Sequence, residues 1–169
     1  DEIGEPETGN LRFKPLTHDL AKAIQGDMLA AAGKKWTPAE KTAVGQYTTS
    51  VGYQTTNAVL RNDEKRMKIF NSTQLKEGAD RAVKLQGAMT PLTQSVILHR
   101  GTRAQAFGFS ETSVSFEELK KLQGSVVQDR GFVSTSVVPP SAGAIPFDYA
   151  KKPVKMIIRA PQGTPGLYV

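Results

Sequence analysis

Gly131-Phe132-Val133-Ser134-Thr135-Ser136-Val137, closed off by Pro139 and Pro140, is the stretch on which the reading of this chain turns. Phe132, Val133 and Val137 supply strand propensity, and the two prolines end the strand. The hydroxyls of Ser134, Thr135 and Ser136 offer donors and acceptors without bulk or charge, as the wall of a polar pocket requires. Its natural partner is Val96-Ile97-Leu98-His99-Arg100-Gly101, an apolar strand ending in a cation. An arginine there can grip a phosphate or carboxylate with two prongs, and the glycine lets a ligand come close to the backbone.

Working outward, 169 residues are enough for one buried core and too few for two comfortable domains. Hydrophobic content of 38% with 22% charged residues is globular, and no apolar run approaches the roughly 20 residues that span a bilayer. No membrane partner is expected. The acidic, polar start Asp1 to Asn10 has no targeting pattern and reads as a cleaved, excised or linker-derived end. With no cysteine, disulfides and thiolate chemistry are excluded. His18 and His99 stand far apart, which leaves no basis for a metal site or a Ser-His-Asp triad. The net charge of +6 is spread among acidic residues in helical segments, so a solvated surface is favoured over a nucleic-acid footprint.

In chain order, residues 1–15 form an extended lead-in, and a helix capped by Thr17 carries Leu20, Ile24, Met28 and Ala31 before Gly33. Thr37-Pro38-Ala39-Glu40 is a capping box with proline at the first helical position. The next helix presents Tyr53, Asn57 and Leu60 on one side. Asn62 to Thr90 reads as helix, with Leu75, Ala79, Ala82 and Val83 inward and Lys76, Glu77, Asp80, Arg81 and Lys84 outward. After Pro91 come short β-rich runs at 96–101, 126–127, 132–138, 154–158 and 167–169, interrupted by a helix at 116–122 with Ser115 and Glu118 in capping spacing. Asp129-Arg130 reads as a turn ion pair or a solvated loop. Helices first and strands second argue an α+β fold. The expected organisation is a single domain over 1–169, with a helical half at 16–90 and a β-rich half at 91–169.

The His-Arg-Gly and Ser-Thr-Ser boxes, in that order, resemble those of the mono-ADP-ribosyltransferases of bacterial toxins and phages. Tyr47-Thr48, Tyr53, Asn57 and Leu60-Arg61 resemble the family's helix pair over the NAD site, and Pro161 to Tyr168 resembles its later turn. The resemblance implies N-terminal helices packed on a mostly antiparallel, two-sheet β core. It also implies NAD as substrate with no metal. Arg100 and Gly101 would meet a phosphate and the carboxamide, and Ser134 would orient a catalytic carboxylate with Thr135 and Ser136 holding the geometry. Tyr47, Tyr53 and Asn57 would line the cofactor, and Tyr149 and Lys152 would add an aromatic ring and a second cation, a lysine where actin-modifying relatives carry arginine. Lysine keeps the charge and loses the fork.

No Glu-x-Glu or Gln-x-Glu box follows that turn before Val169, and Glu117-Glu118 point apart on a helix. The expectation is a C-terminally incomplete enzyme whose catalytic glutamate lies beyond Val169. By resemblance, the product is a monomeric toxin or effector, secreted or injected and acting in the host cytoplasm, or delivered by a phage. Its acceptor would be an arginine of a host protein, with actin the first candidate. Two other classes compete: a catalytically silent NAD-binding or protein-interaction module, and a basic nucleic-acid-binding domain.

Overall fold

The computed structural model describes residues 35–137 and 152–167, with isolated positions between 19 and 30. The elements run α1 (Pro38–Tyr47), α2 (Ser50–Arg61), α3 (Glu64–Met67), α4 (Ser72–Ala88), β1 (Thr90–Pro91), β2 (Val96–Thr102), a 3-10 turn (Ala104–Phe107), α5 (Phe116–Lys120), β3 (Val154–Ala160) and β4 (Pro165–Gly166). They divide between two compact units. One comprises Lys22–Gln94, Asp129–Val133 and Pro161–Val169, and the other Asp1–Ala21, Ser95–Gln128 and Ser134–Ala160. The lead-in, and both ends of the helix expected from Thr17 to Gly33, lie outside the described residues.

In the helical unit each helix starts where a side chain can satisfy its first amides. Thr37 accepts from the Glu40 N–H while the Glu40 carboxylate accepts from the Thr37 N–H, the reciprocal pair that the sequence predicts. Thr49 caps α2, and Asn71 forms a second reciprocal pair with Gln74 at the start of α4. The segment 62–90 is not one helix. Asn62 takes a left-handed conformation (φ 52°) that ends α2, and Asp63 then caps the short α3. Ala43, Val44, Tyr47 and the fully buried Leu85 form the core, with Trp36, Phe132 and Leu167 packed on it. The Trp36 indole N–H donates to the Ala88 carbonyl (3.0 Å), satisfying the end of α4. β1 and β4 pair antiparallel, Thr90 opposite Gly166.

The inward face of α4 differs from expectation at two positions. Val83 is 70% exposed, whereas Arg81 is buried. Gly78, Arg81, Ala82, Leu85 and Ala88 are the buried set, spaced by three, one, three and three residues. Gly78 is required there, because a Cβ would stand 2.9 Å from the Thr55 backbone on α2.

In the β-rich unit β2 and β3 form an antiparallel ladder from Val96 opposite Ala160 to Thr102 opposite Val154. Arg100 shares a face with Val96, Leu98, Met156 and Ile158, and His99 lies on the other with Ile97 and Ile157. The ladder confirms and lengthens the two expected strands. Ser115 and Glu118 cap α5 reciprocally, and the helix proper ends at Lys120.

Two expected strands do not form. Val126 and Val127 belong to no strand, at 97% and 48% exposure. Gly131–Val137 is not a continuous strand either: only Ser136 makes a bridge, antiparallel to His99. Side chains take the place of the ladder over its first half. Of the run expected at 167–169, Tyr168 and Val169 lie outside the described residues, and Leu167 directly follows β4 at Pro165–Gly166.

Candidate functional site

On the β-rich unit, His99 and Ser136 exchange both backbone bonds: the His99 N–H donates to the Ser136 carbonyl (2.7 Å) and the Ser136 N–H to the His99 carbonyl (2.9 Å). This pairing sets the hydroxyl segment beside β2. One residue along, the Arg100 Nη1 donates to the Ser134 carbonyl at 2.7 Å, so the cation of the first box holds the backbone of the second. Arg100, Gly101, Ser134, Thr135 and Ser136 are all half-buried. A guanidinium carries five N–H donors, so one arginine can fix a loop and meet an anion together. Partial burial lowers the His99 pKa below its ordinary value, which favours the neutral imidazole beside this pair. Lys152 stands half-buried two residues before β3, and Tyr149 lies outside the described residues.

On the helical unit, α2 anchors the residues that lead into the hydroxyl segment. The Asn57 side chain is buried, its Oδ1 accepting from the Phe132 N–H (2.7 Å) and its Nδ2 donating to the Tyr47 hydroxyl (3.1 Å). The Phe132 ring meets Tyr47 edge to face at 5.7 Å. Four residues past Asn57, the Arg61 Nε and Nη2 each donate to Asp129 at 2.7 Å, a two-pronged ion pair that raises the Arg61 pKa. Asp129 thus turns to α2 and not to the Arg130 beside it, correcting the expected turn pair. Asp129 Oδ1 also accepts from the Gly131 N–H (2.9 Å). A Cβ at Gly131 would meet the Arg61 guanidinium at 2.7 Å, so the glycine admits that side chain. Of the three helical residues assigned to the cofactor, Tyr47 and Asn57 are buried and bonded to each other, while Tyr53 is 45% exposed.

Sequence reasoning passed over the Arg61–Asp129 pair because its members are 68 residues apart. Arg61 was legible only as part of a motif. Among the described residues no group of His, Cys, Asp or Glu could hold a metal ion, and no helix is long and apolar enough to cross a membrane.

The model of the ADP-ribosyltransferase exoenzyme family matches residues 15–169. The chain belongs to that family, and is an NAD-dependent ADP-ribosyltransferase of the bacterial toxin type. Its fold is similar to that of the Clostridium limosum C3 exoenzyme, at 22% identity and a TM-score of 0.65 over 90% of this chain and 75% of that one. It is similar also to Plx2a, an ADP-ribosyltransferase toxin from Paenibacillus larvae, at 23% identity and 0.61 over 86% and 71% of the two chains. An ADP-ribosyltransferase from Clostridium botulinum matches at 17% and 0.62, over 92% and 77%. At these identities the likeness is one of fold, and it bears out the α+β class and the small antiparallel sheets. No curated protein matches the sequence.

Proposed function

We propose that the chain acts as one catalytic domain that breaks the nicotinamide–ribose bond of NAD and passes ADP-ribose to a side chain of a host protein. The observation that carries this is the 2.7 Å bond from Arg100 to the Ser134 carbonyl, with His99 and Ser136 paired alongside. It sets the guanidinium of the first box against the backbone of the second. In this reading Arg100 holds a phosphate, Gly101 meets the carboxamide, and Ser134 orients a catalytic carboxylate. Thr135 and Ser136 keep the backbone in place. Tyr47, Tyr53, Asn57, Tyr149 and Lys152 complete the cofactor contacts.

Arginine as acceptor and actin as target rest on the sequence resemblance alone, since the relatives' names specify neither. Delivery from a bacterium into the host cytoplasm, activity as a monomer and freedom from a metal belong to the same proposal.

The test uses the natural full-length protein. Arg100→Ala should weaken NAD binding about tenfold or more by calorimetric titration, the loss expected for a charge-assisted contact. Ser134→Ala should lower turnover and leave the melting temperature in place. Equal NAD affinity of the wild type and the Arg100 variant would overturn the assignment. Labelled NAD with host lysate, followed by mass spectrometry of the modified peptide, identifies the acceptor.

A further inference from the structure

Arg81 is a buried charge that the proposed reaction does not use. It is 7% exposed on α4, and its Nη1 faces three acceptors: the Gly52 carbonyl (3.2 Å) and the hydroxyls of Thr55 (3.2 Å) and Thr56 (3.1 Å). That nitrogen is satisfied. The other edge of the guanidinium is not: Nε has one long contact to the Gln46 side-chain carbonyl (3.4 Å), and Nη2 bonds to no described residue. Every partner is neutral, and among the described residues no carboxylate stands within ion-pair distance of Arg81. A buried cation solvated only by neutral groups is left with an uncompensated charge.

The side chain also lines a cleft of about 340 Å³ between α1 and α4, together with Gln46, Glu77, Asp80 and Lys84. A space of this size suits a small molecule. The Nε–H and Nη2–H bonds of a guanidinium run parallel, the geometry that the two oxygens of a carboxylate match. Two cations and two acids line the cleft, so its lining is neutral overall. That balance suits an anion of single charge and disfavours a phosphate dianion, which the two acids would repel.

We propose that this cleft is a binding site for a small free monocarboxylate, its two oxygens seated on the Nε/Nη2 edge of Arg81. The Gln46 amide turns over to donate its N–H to the same ligand, and Lys84 adds a second positive charge from the solvent side. The proposal does not rest on the dinucleotide chemistry.

The test follows the Arg81 side-chain Nε–H signal by NMR in the absence of NAD, with acetate titrated against chloride at constant ionic strength. A saturable shift with acetate and none with chloride is expected. Lys84→Ala and Glu77→Gln alter exposed positions and leave the core intact. The first should weaken acetate binding and the second tighten it, each about threefold, as partly screened charges do. No saturable shift in either the wild type or the Glu77 variant would overturn the proposal. So would an equal response to chloride, or tighter binding of inorganic phosphate than of acetate.

Discussion

Replacing Asn57 by alanine tests whether α2 holds the approach to the hydroxyl segment. The amide is 6% exposed and spans two partners, the Phe132 N–H at 2.7 Å and the Tyr47 hydroxyl at 3.1 Å. Two lost bonds contribute about 1 kcal/mol each, and stranding the Phe132 N–H away from water adds about 1 kcal/mol or more. The expected loss is about 3 kcal/mol, which for a chain of this length lowers the melting temperature by roughly 6–12 °C. Thermal melts by circular dichroism without NAD read the internal bonds alone. Asn57→Leu restores most of the lost volume but strands the same N–H, so it should stay close to the alanine variant. Tyr47→Phe combined with Asn57→Ala gives the coupling between the partners. A loss under about 1 kcal/mol for both Asn57 variants would refute the reasoning, because the bonds would then be no better than those to water.

Gly78→Ala places a methyl 2.9 Å from the Thr55 backbone and should cost about 1–3 kcal/mol as α2 and α4 separate, measured by urea unfolding. The Arg61–Asp129 pair, each side chain about a third exposed, should show a coupling of about 1 kcal/mol in a double-alanine cycle, shrinking as salt is added. For His99, burial depresses the folded pKa, so the unfolded imidazole takes its proton first. Its contribution is complete above the unfolded value of about 6.5 and is lost as pH falls through that value towards the lower folded one. Denaturant midpoints at pH 7.5 and 5.5 should therefore differ less in His99→Gln than in the wild type.

Local chemistry was the legible part of this molecule. Two of the capping boxes, Thr37–Glu40 and Ser115–Glu118, follow from three-residue spacings, because the atoms that satisfy a helix start lie within one turn of it, whereas Asn71–Gln74 is hidden inside a segment that reads as one helix. The β2 and β3 runs were readable from apolar content, although the pairing of Val96 with Ala160 and of Thr102 with Val154, far apart in sequence, was not. What was missed depended on such distant partners. Gly131–Val137 has the composition of a strand, yet a strand needs a neighbour along its length. Here Asn57 and Asp129 take the backbone N–H groups of Phe132 and Gly131 before a ladder can.

Arg81 shows a different failure, one of weighting. Its position, three after Gly78 and four before Leu85, lies squarely on the buried stripe, while Val83 falls off it. Residue type argued the reverse for both, and the periodicity was right. A charged residue that geometry forces inward needs acceptors, and α2 supplies them as Thr55, Thr56 and the Gly52 carbonyl. Two adjacent threonines on the buried face of one helix and an arginine on the buried face of the next were therefore a readable pair. Position decided which side chains turn inward, and type decided only what had to meet them there.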